Sequence, residues 1–325
     1  MANRYHDGPV TDHFDGKRFF NPGQATTDRS LAELLRWKLG GRPARWPTTV
    51  PVAPAIPDAR VDRLRVTMVG HASLLVQIGG LNILTDPVWS DRASPFRSFG
   101  PKRVTVPGIA FEALPPIDAV LLSHNHYDHL DIATLRRLQT VHQPLVVAPM
   151  GNDAIVRAGV PGMRVVAADW GERVELGGGV HTDLVPAIHW SARGIGDRRM
   201  ALWAGHMIRA EAGLLWFAGD TAYGDGTPFR AIRERHGAPD IALIPIGAYA
   251  PRWFMSAQHA DPAEAVRIHR DIGAARSIGI HWGSFQLTDE PREEPRERLA
   301  AALAAAGIAP ERFVAAEPGA VFERE

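Results

Sequence analysis

The sequence contains no cysteine. That absence excludes disulfides, thiolate metal ligands and a cysteine nucleophile together, so any metal here must be held by nitrogen and oxygen. Nor does charge of one sign predominate, since Lys+Arg and Asp+Glu both total 36. With no net field to attract a polyanion, nucleic acid is not an expected partner. Long apolar runs are missing too: nowhere do about 18 apolar residues follow one another. The opening MANRYHDGPVTDHFDGKRFF has no apolar core flanked by positive charge. The expectation is a soluble, cytoplasmic protein. What remains is ordinary globular material, 45% hydrophobic and 22% charged over 325 residues. That supplies a large core, and strand-rich layered folds reach this length as one unit.

Residues 1–60 read as an N-terminal arm that ends in the proline-rich WPTTVPVAPAIPDA. The arm carries one short helix. Ser30 and Glu33 make a capping-box pattern, Leu31, Leu34, Leu35 and Leu39 share one face, and Gly40-Gly41 stops it. That face is expected to pack onto the body, with a lipid surface or a homodimer contact as the alternative. Residues 61–325 read as one domain. β-Branched runs (LRVTMVG, SLLVQI, LNILTD, AVLLS, PLVVAP, RVVAA, VHTDLVPA, ALWAGHMIR, LLWFAG, IALIPIG, SIGIHW) alternate with helical stretches around 131–139, 228–236, 262–272 and 292–305. Such interspersion predicts an α/β (α+β) fold of layered sheets with helices outside. Asp261, Pro262 and Glu264 open the helix at 262–272, which leaves His259 in the loop before its N-terminus.

The central signal is LLSHNHYDHLD, in which an apolar strand runs into His124-x-His126-x-Asp128-His129. Chance would produce this pattern in roughly one such chain in several hundred. The spacing is not helical, because ligands on one helix face would lie three or four apart. A loop at a strand end instead lets alternate residues splay toward two ions. Other strand ends supply more donors: His189 closes VHTDLVPAIH, Asp220 closes LLWFAGD and His281 closes SIGIH. Seven donors exceed one tetrahedral zinc. The expected division is His124, His126 and His189 on one ion, Asp128, His129 and His281 on the other, with Asp220 as the bridge. Imidazole and carboxylate suit Zn2+, with Fe or Mn as alternatives.

These residues, in this order, resemble the metallo-β-lactamase superfamily, which implies a four-layer αββα sandwich with metals along one edge. The segments VGHASLLV, LTDPVWSDRASP, GPKR, LPPIDAVLLSHNHYDHLD, FAGDTAYG, IPIGAYAPRWFM, QHADPAEAVRIH and GIHWGSF are similar to the branch that hydrolyses N-acylphosphatidylethanolamine as a phospholipase D. A weaker echo lies at Arg18-Phe19-Phe20-Asn21-Pro22. The resemblance implies phosphodiester hydrolysis to phosphatidic acid and an N-acylethanolamine. It also implies the seven ligands position by position, a histidine beside the site at His259, and Asp86 as the aspartate behind the ligands. The short arm and the 191–200 insert depart from the branch.

Two divalent ions sharing a water lower its pKa toward neutrality, so the expected nucleophile is hydroxide between the metals. Asp128 and Asp220 serve the catalytic centre as ligands. His259 is either the acid that protonates the leaving alkoxide or a structural imidazole. Asp86 is expected to orient a ligand histidine, and His71 to be structural. Substrate contacts are expected from Trp89, Phe96 and Phe99 beside Arg92, Arg97, Lys102 and Arg103, and from Tyr249, Trp253, Phe254 and Met255. The expected partners are a lipid or small-molecule phosphodiester and, peripherally, a membrane. A lactonase or other hydrolase of soluble substrates would use the same metals. A non-catalytic metal-binding or scaffold protein is the rival from another class.

Overall fold

The computed structural model describes residues 2–324. Short apolar runs become strands in the order β1 (Arg65–Gly70), β2 (Ser73–Ile78), β3 (Leu81–Thr85), β4 (Ala119–Leu121), β5 (Leu145–Pro149) and β6 (Val165–Ala168). The chain then enters a second sheet through β7 (Arg173–Gly177), β8 (Val180–Val185), β9 (Gly205–Ala210), β10 (Gly213–Phe217), β11 (Ile241–Pro245), β12 (Arg276–Ile280) and β13 (Phe313–Ala315). The last strand, β14 (Val321–Glu323), returns to the first sheet beside β1. Each sheet has seven strands, ordered β14-β1-β2-β3-β4-β5-β6 and β13-β12-β11-β10-β9-β8-β7. In the first, β1 to β3 form an antiparallel meander and β3 to β6 run parallel.

The helices are α1 (Leu31–Gly40), α2 (Ile132–Val141), α3 (Asn152–Gly159), α4 (Thr227–His236), α5 (Arg252–Met255), α6 (Pro262–Ile272) and α7 (Glu294–Ala305). One core lies between the sheets, with Leu74, Leu121, Leu215 and Leu243 fully buried. Trimming one such leucine to alanine costs about 2–5 kcal/mol, which is why this layer is a rigid platform. A second core packs Leu135, Leu138 and Val156 of α2 and α3 on the outer face of the first sheet. A third packs Phe229, Val266, Ile268 and Leu299 of α4, α6 and α7 on the outer face of the second. The layers are therefore helix, sheet, sheet, helix, the αββα sandwich that the resemblance implied.

The parallel stretches set the position of the site. Strands β1, β3, β4, β10 and β12 end at one edge of the sandwich, and residues just beyond them are His71, Asp86, His124, Asp220 and His281. A residue at that position has left the ladder, so a polar side chain there meets neither the core nor a neighbouring strand.

Three elements escaped the sequence pattern. Strand β7 has charges at Arg173 and Glu175 and lies at the sheet edge, where exposed polar residues break the apolar run. Helices α3 and α5 are short, eight and four residues. Strand β9 begins at Gly205, so Ala201–Ala204 of the ALWAGHMIR run are buried connection rather than strand. Helix α1 forms with the predicted capping box, Ser30 with Glu33. Its leucine face does not pack on the body: Leu31, Leu35 and Leu39 are 70%, 48% and 83% exposed. The helix docks through Trp37 instead, whose ring lies 4.8 Å from that of Phe254. Among the described residues no helix is long and apolar enough to cross a membrane.

Candidate metal centre

Eight side chains from five separate segments converge at this edge. Among the described residues four overlapping donor groups result, within each of which the donor atoms lie within 4.8 Å of one another. In two of these His259 joins His189 and Asp220, and Asp86 joins His124 and His129; the other two, which share no residue, are His124, His126 and His189, and His71, Asp128, His129 and His281. Within the first, His126 Nδ1 stands 2.8 Å from His124 Nε2 and 3.3 Å from His189 Nε2. In the second, His281 Nε2 lies 3.1 Å from His129 Nε2 and 3.2 Å from Asp128 Oδ2. Asp220 sits between them. Its Oδ2 is 3.1 Å from both His129 Nε2 and His281 Nε2, 3.7 Å from His189 Nε2 and 3.9 Å from His124 Nε2.

The tautomers follow from the partners behind the rings. Asp86, fully buried, accepts from His129 Nδ1 at 2.6 Å and from the Ser123 hydroxyl at 2.5 Å. His124 Nδ1 faces the Ser123 oxygen at 2.9 Å, and His189 Nδ1 donates to the Gln258 carbonyl at 2.9 Å. Each bond ties up Nδ1 and leaves Nε2 as a lone pair aimed inward. The residues fit divalent cations: lone-pair nitrogens face each other at hydrogen-bond distance, and buried Asp220 Oδ1 has no hydrogen-bond partner. Oxygen and nitrogen donors without thiolate suit zinc, iron or manganese.

The electrostatics point the same way. Burial pulls His129 down, yet Asp220, Asp128 and Asp86 outweigh it and hold its imidazole well above the usual range. Burial likewise opposes, and Asp220 and Asp128 overcome it, in pushing His281 up to about 9. His124 and His126 are held well below the usual range by burial and neighbouring imidazoles. Two buried carboxylates thus demand positive charge between them, the charge a bound cation would supply.

His71 and His259 border this centre. His71 Nε2 lies 2.9 Å from Asp128 Oδ2, so its ring stands among the donors as well as behind one of them. Burial pushes it down to about 3, making it neutral. His259, on the loop before α6, faces the rings of His189 and His281 at 5.0 and 5.4 Å. Burial holds it well below the usual imidazole range. That does not suit a leaving-group acid carrying its own proton at neutral pH.

Of the expected substrate contacts, the structure leaves only Phe96, Phe99 and Trp253 exposed, at 62%, 74% and 41%. Phe96 lines a cavity of about 470 Å³ beside the metal loop, with Arg97, Tyr127 and Arg193. The other four are packing residues. Trp89 donates to the Ile109 carbonyl and meets the edge of Phe111, Tyr249 is buried with its hydroxyl on Glu294, and Phe254 and Met255 lie under Trp37. An apolar loop residue is more stable beneath its own loop than in water, which is why these four turned inward. Arg103 is buried also, over Phe285. Sequence reasoning missed Trp190, whose ring meets that of His126 edge-on at 4.4 Å and whose indole donates to Gln258 at 2.7 Å. Its only signal was adjacency to His189.

Comparison with known proteins decides the family. The β-lactamase superfamily domain model matches residues 81–282. This chain belongs to the β-lactamase superfamily. A Caenorhabditis elegans relative, N-acyl-phosphatidylethanolamine-hydrolyzing phospholipase D 1, is 39% identical over 271 residues, covering 80% of this chain and 76% of that one. A Mycobacterium tuberculosis (strain ATCC 25618 / H37Rv) protein described as uncharacterized is 39% identical over 284 residues, covering 85% and 75%. Among solved structures, the isothiocyanate hydrolase from Delia radicum gut bacteria superposes with a TM-score of 0.62 at 20% identity, covering 80% of this chain and all of that one. At that identity it shows the fold alone. As a superfamily member, the chain is a metal-dependent hydrolase, and the convergent His/Asp cluster is its candidate metal site.

Proposed function

We propose that this hydrolase binds two divalent metal ions and cleaves the phosphodiester of an N-acylated phosphatidylethanolamine. The observation that carries the metal count is the position of Asp220 Oδ2 between two separate donor groups. One carboxylate oxygen within reach of both groups is the arrangement of a bridging ligand, and a single tetrahedral ion leaves half the donors unused. The lipid assignment is supported by the worm relative, whose identity extends across most of both chains.

Two such cations would lower the pKa of a water between them and offset charge on the phosphoryl oxygens. The protein's own residues do the rest. Asp86, Ser123 and the Gln258 carbonyl fix three imidazoles so that their Nε2 atoms need no reorganisation during turnover. Hydroxide attack on phosphorus breaks the bond to the N-acylethanolamine oxygen, which takes up a proton, and phosphatidic acid is the second product. The proton given up in forming the hydroxide is the one that this oxygen takes up, and His259, whose ring faces those of His189 and His281 at 5.0 and 5.4 Å, is a neutral imidazole beside that transfer. Exposed Leu31, Leu35 and Leu39 on α1, with Trp253 beside the helix under Arg36 at 4.7 Å, support peripheral docking to a bilayer.

The test is to incubate zinc-loaded protein with N-acylphosphatidylethanolamine vesicles and, separately, with acyl lactones, and to quantify phosphatidic acid and ring-opened acid. Phosphatidic acid release with about two metals per chain supports the reading. Lactone turnover alone would make the protein a hydrolase of soluble substrates, and no turnover of either would leave a metal-binding scaffold.

A further inference from the structure

The Arg18-Phe19-Phe20-Asn21-Pro22 run lies far from the metal motifs in sequence, yet it ends against one of the ligands. Asn21 Nδ2 donates to the main-chain oxygen of His189 at 2.9 Å, and Asn21 Oδ1 accepts from the Trp203 indole at 2.9 Å. The asparagine is anchored from behind. Phe19 is 1% exposed in a cluster with Phe14, Ala187, Leu202 and Trp203, and its N–H donates to the Arg199 carbonyl at 2.8 Å. Strand β8 stops at Val185, four residues before His189; the peptide entering His189 is held by the Ala222 N–H on the Ile188 carbonyl at 2.9 Å, and the carbonyl leaving it is held by Asn21. The Gln258 carbonyl fixes its ring and Asn21 holds its main-chain oxygen, two restraints from remote parts of the chain.

We propose that Asn21 is a positioning residue for His189, so that the N-terminal arm is part of the metal centre. The side-chain amide holds the His189 peptide at the height where Nε2 meets His124 and His126. This rests on the reading of His124, His126 and His189 as the ligands of one ion. Outer partners of metal ligands typically tune affinity by about 10- to 100-fold, and the same size is expected here.

The experiment titrates metal against a competing chelator for the full chain and for Asn21→Asp, Asn21→Ala, His189→Ala and Phe14→Leu. Asn21→Asp retains an acceptor for Trp203 while turning a donor to His189 into a repelling oxygen, so the arm keeps its anchor. The expected result is about 10-fold or more weaker binding of one ion of the pair in both Asn21 variants, with the other ion unchanged. Phe14→Leu loosens the same patch without touching Asn21 and is expected to lower the melting temperature while keeping both affinities. Asn21 variants that bind both ions like the parent, while His189→Ala loses one, would overturn the positioning role. Equal weakening by Phe14→Leu would overturn it too, by assigning the effect to general loosening. His189→Ala binding like the parent would instead remove His189 as a ligand, and the site reading with it.

Discussion

Asp86 Oδ2 accepts a 2.6 Å hydrogen bond from His129 Nδ1, and both side chains are fully buried. The carboxylate sits 43 residues away in sequence but directly behind the ring, because β3 and β4 are parallel neighbours that end at the same edge. It decides which nitrogen of His129 carries the proton. Asp86→Asn offers the ring an amide that can donate to Nδ1, which favours the wrong tautomer. The expected outcome is a loss of roughly 10- to 100-fold in metal affinity, read by chelator competition. Wild-type affinity in that variant would assign the tautomer to Ser123 alone.

Asp220 makes a different claim. Its Oδ2 reaches imidazoles of both donor groups, so Asp220→Asn removes the negative charge that both share. Hydrolysis is expected to fall to near background while circular dichroism and the sheet core stay unchanged. A variant that keeps full activity would show that the two groups act without a shared carboxylate.

Metal removal should act on stability as well as on turnover. Buried Asp128 and Asp220 balance their charge only through protons on His129 and His281 when no cation is present. A ligand that binds only the folded state stabilises it by about 4 kcal/mol at a thousand times its dissociation constant. Chelation is therefore expected to lower the melting temperature by several degrees, and zinc to restore it. An unchanged melting curve, with metal loss verified by elemental analysis, would argue against a site preformed at these residues.

What could be read from the chain alone divides along physical lines. Donors at strand ends were legible because a polar residue closing an apolar run is conspicuous locally, as with Asp220 after LLWFAG and His281 after SIGI. The layered fold was legible for the same reason, since strand and helix periods differ. Asn21 and Gln258 act through main-chain atoms across 168 and 69 residues, and such contacts leave no mark in spacing. Tyr249 and Phe254 misled because an aromatic in a loop carries the same letter whether it lines a groove or pins the loop to the core. The α1 leucines misled in the opposite sense, since an amphipathic face does not say what covers it.

The arm carries its own titrating latch. His13 lies between Asp12 at 2.6 Å and Asp169 at 2.8 Å and stacks on Trp170 at 4.5 Å. Burial opposes the charged imidazole, but bonds to Asp169 and Asp12 prevail and raise it above its usual value. A raised histidine adds stability that is complete below its unfolded value, about 6.5, and is lost as pH rises through the folded value. Asp169 is lowered, with burial opposing and His13 prevailing, so its share is present above about 4 and lost below. Hydrogen exchange of residues 11–21 should thus be slowest between about pH 4 and 6.5 and should speed above that window, once corrected for intrinsic exchange. His13→Ala should flatten the profile, and an unaltered profile would remove the latch.

The exposed face of α1 separates a lipid substrate from a soluble one. Leu35 is 48% exposed and Leu39 83%, and neither contributes to any core cluster of the described residues. Placing an aspartate at either position should leave folding intact, because surface substitutions away from packed contacts change stability little. Burying one leucine in a bilayer is worth about 1.5–3 kcal/mol, so a Leu35→Asp, Leu39→Asp double variant should lose tenfold or more of its vesicle partitioning. KM measured on vesicles should rise accordingly, while kcat, and KM for a short-chain water-soluble phosphodiester, should not change. Vesicle kinetics that match the parent would place membrane engagement elsewhere, with Phe96, Phe99 and Trp253 as the next side chains to test.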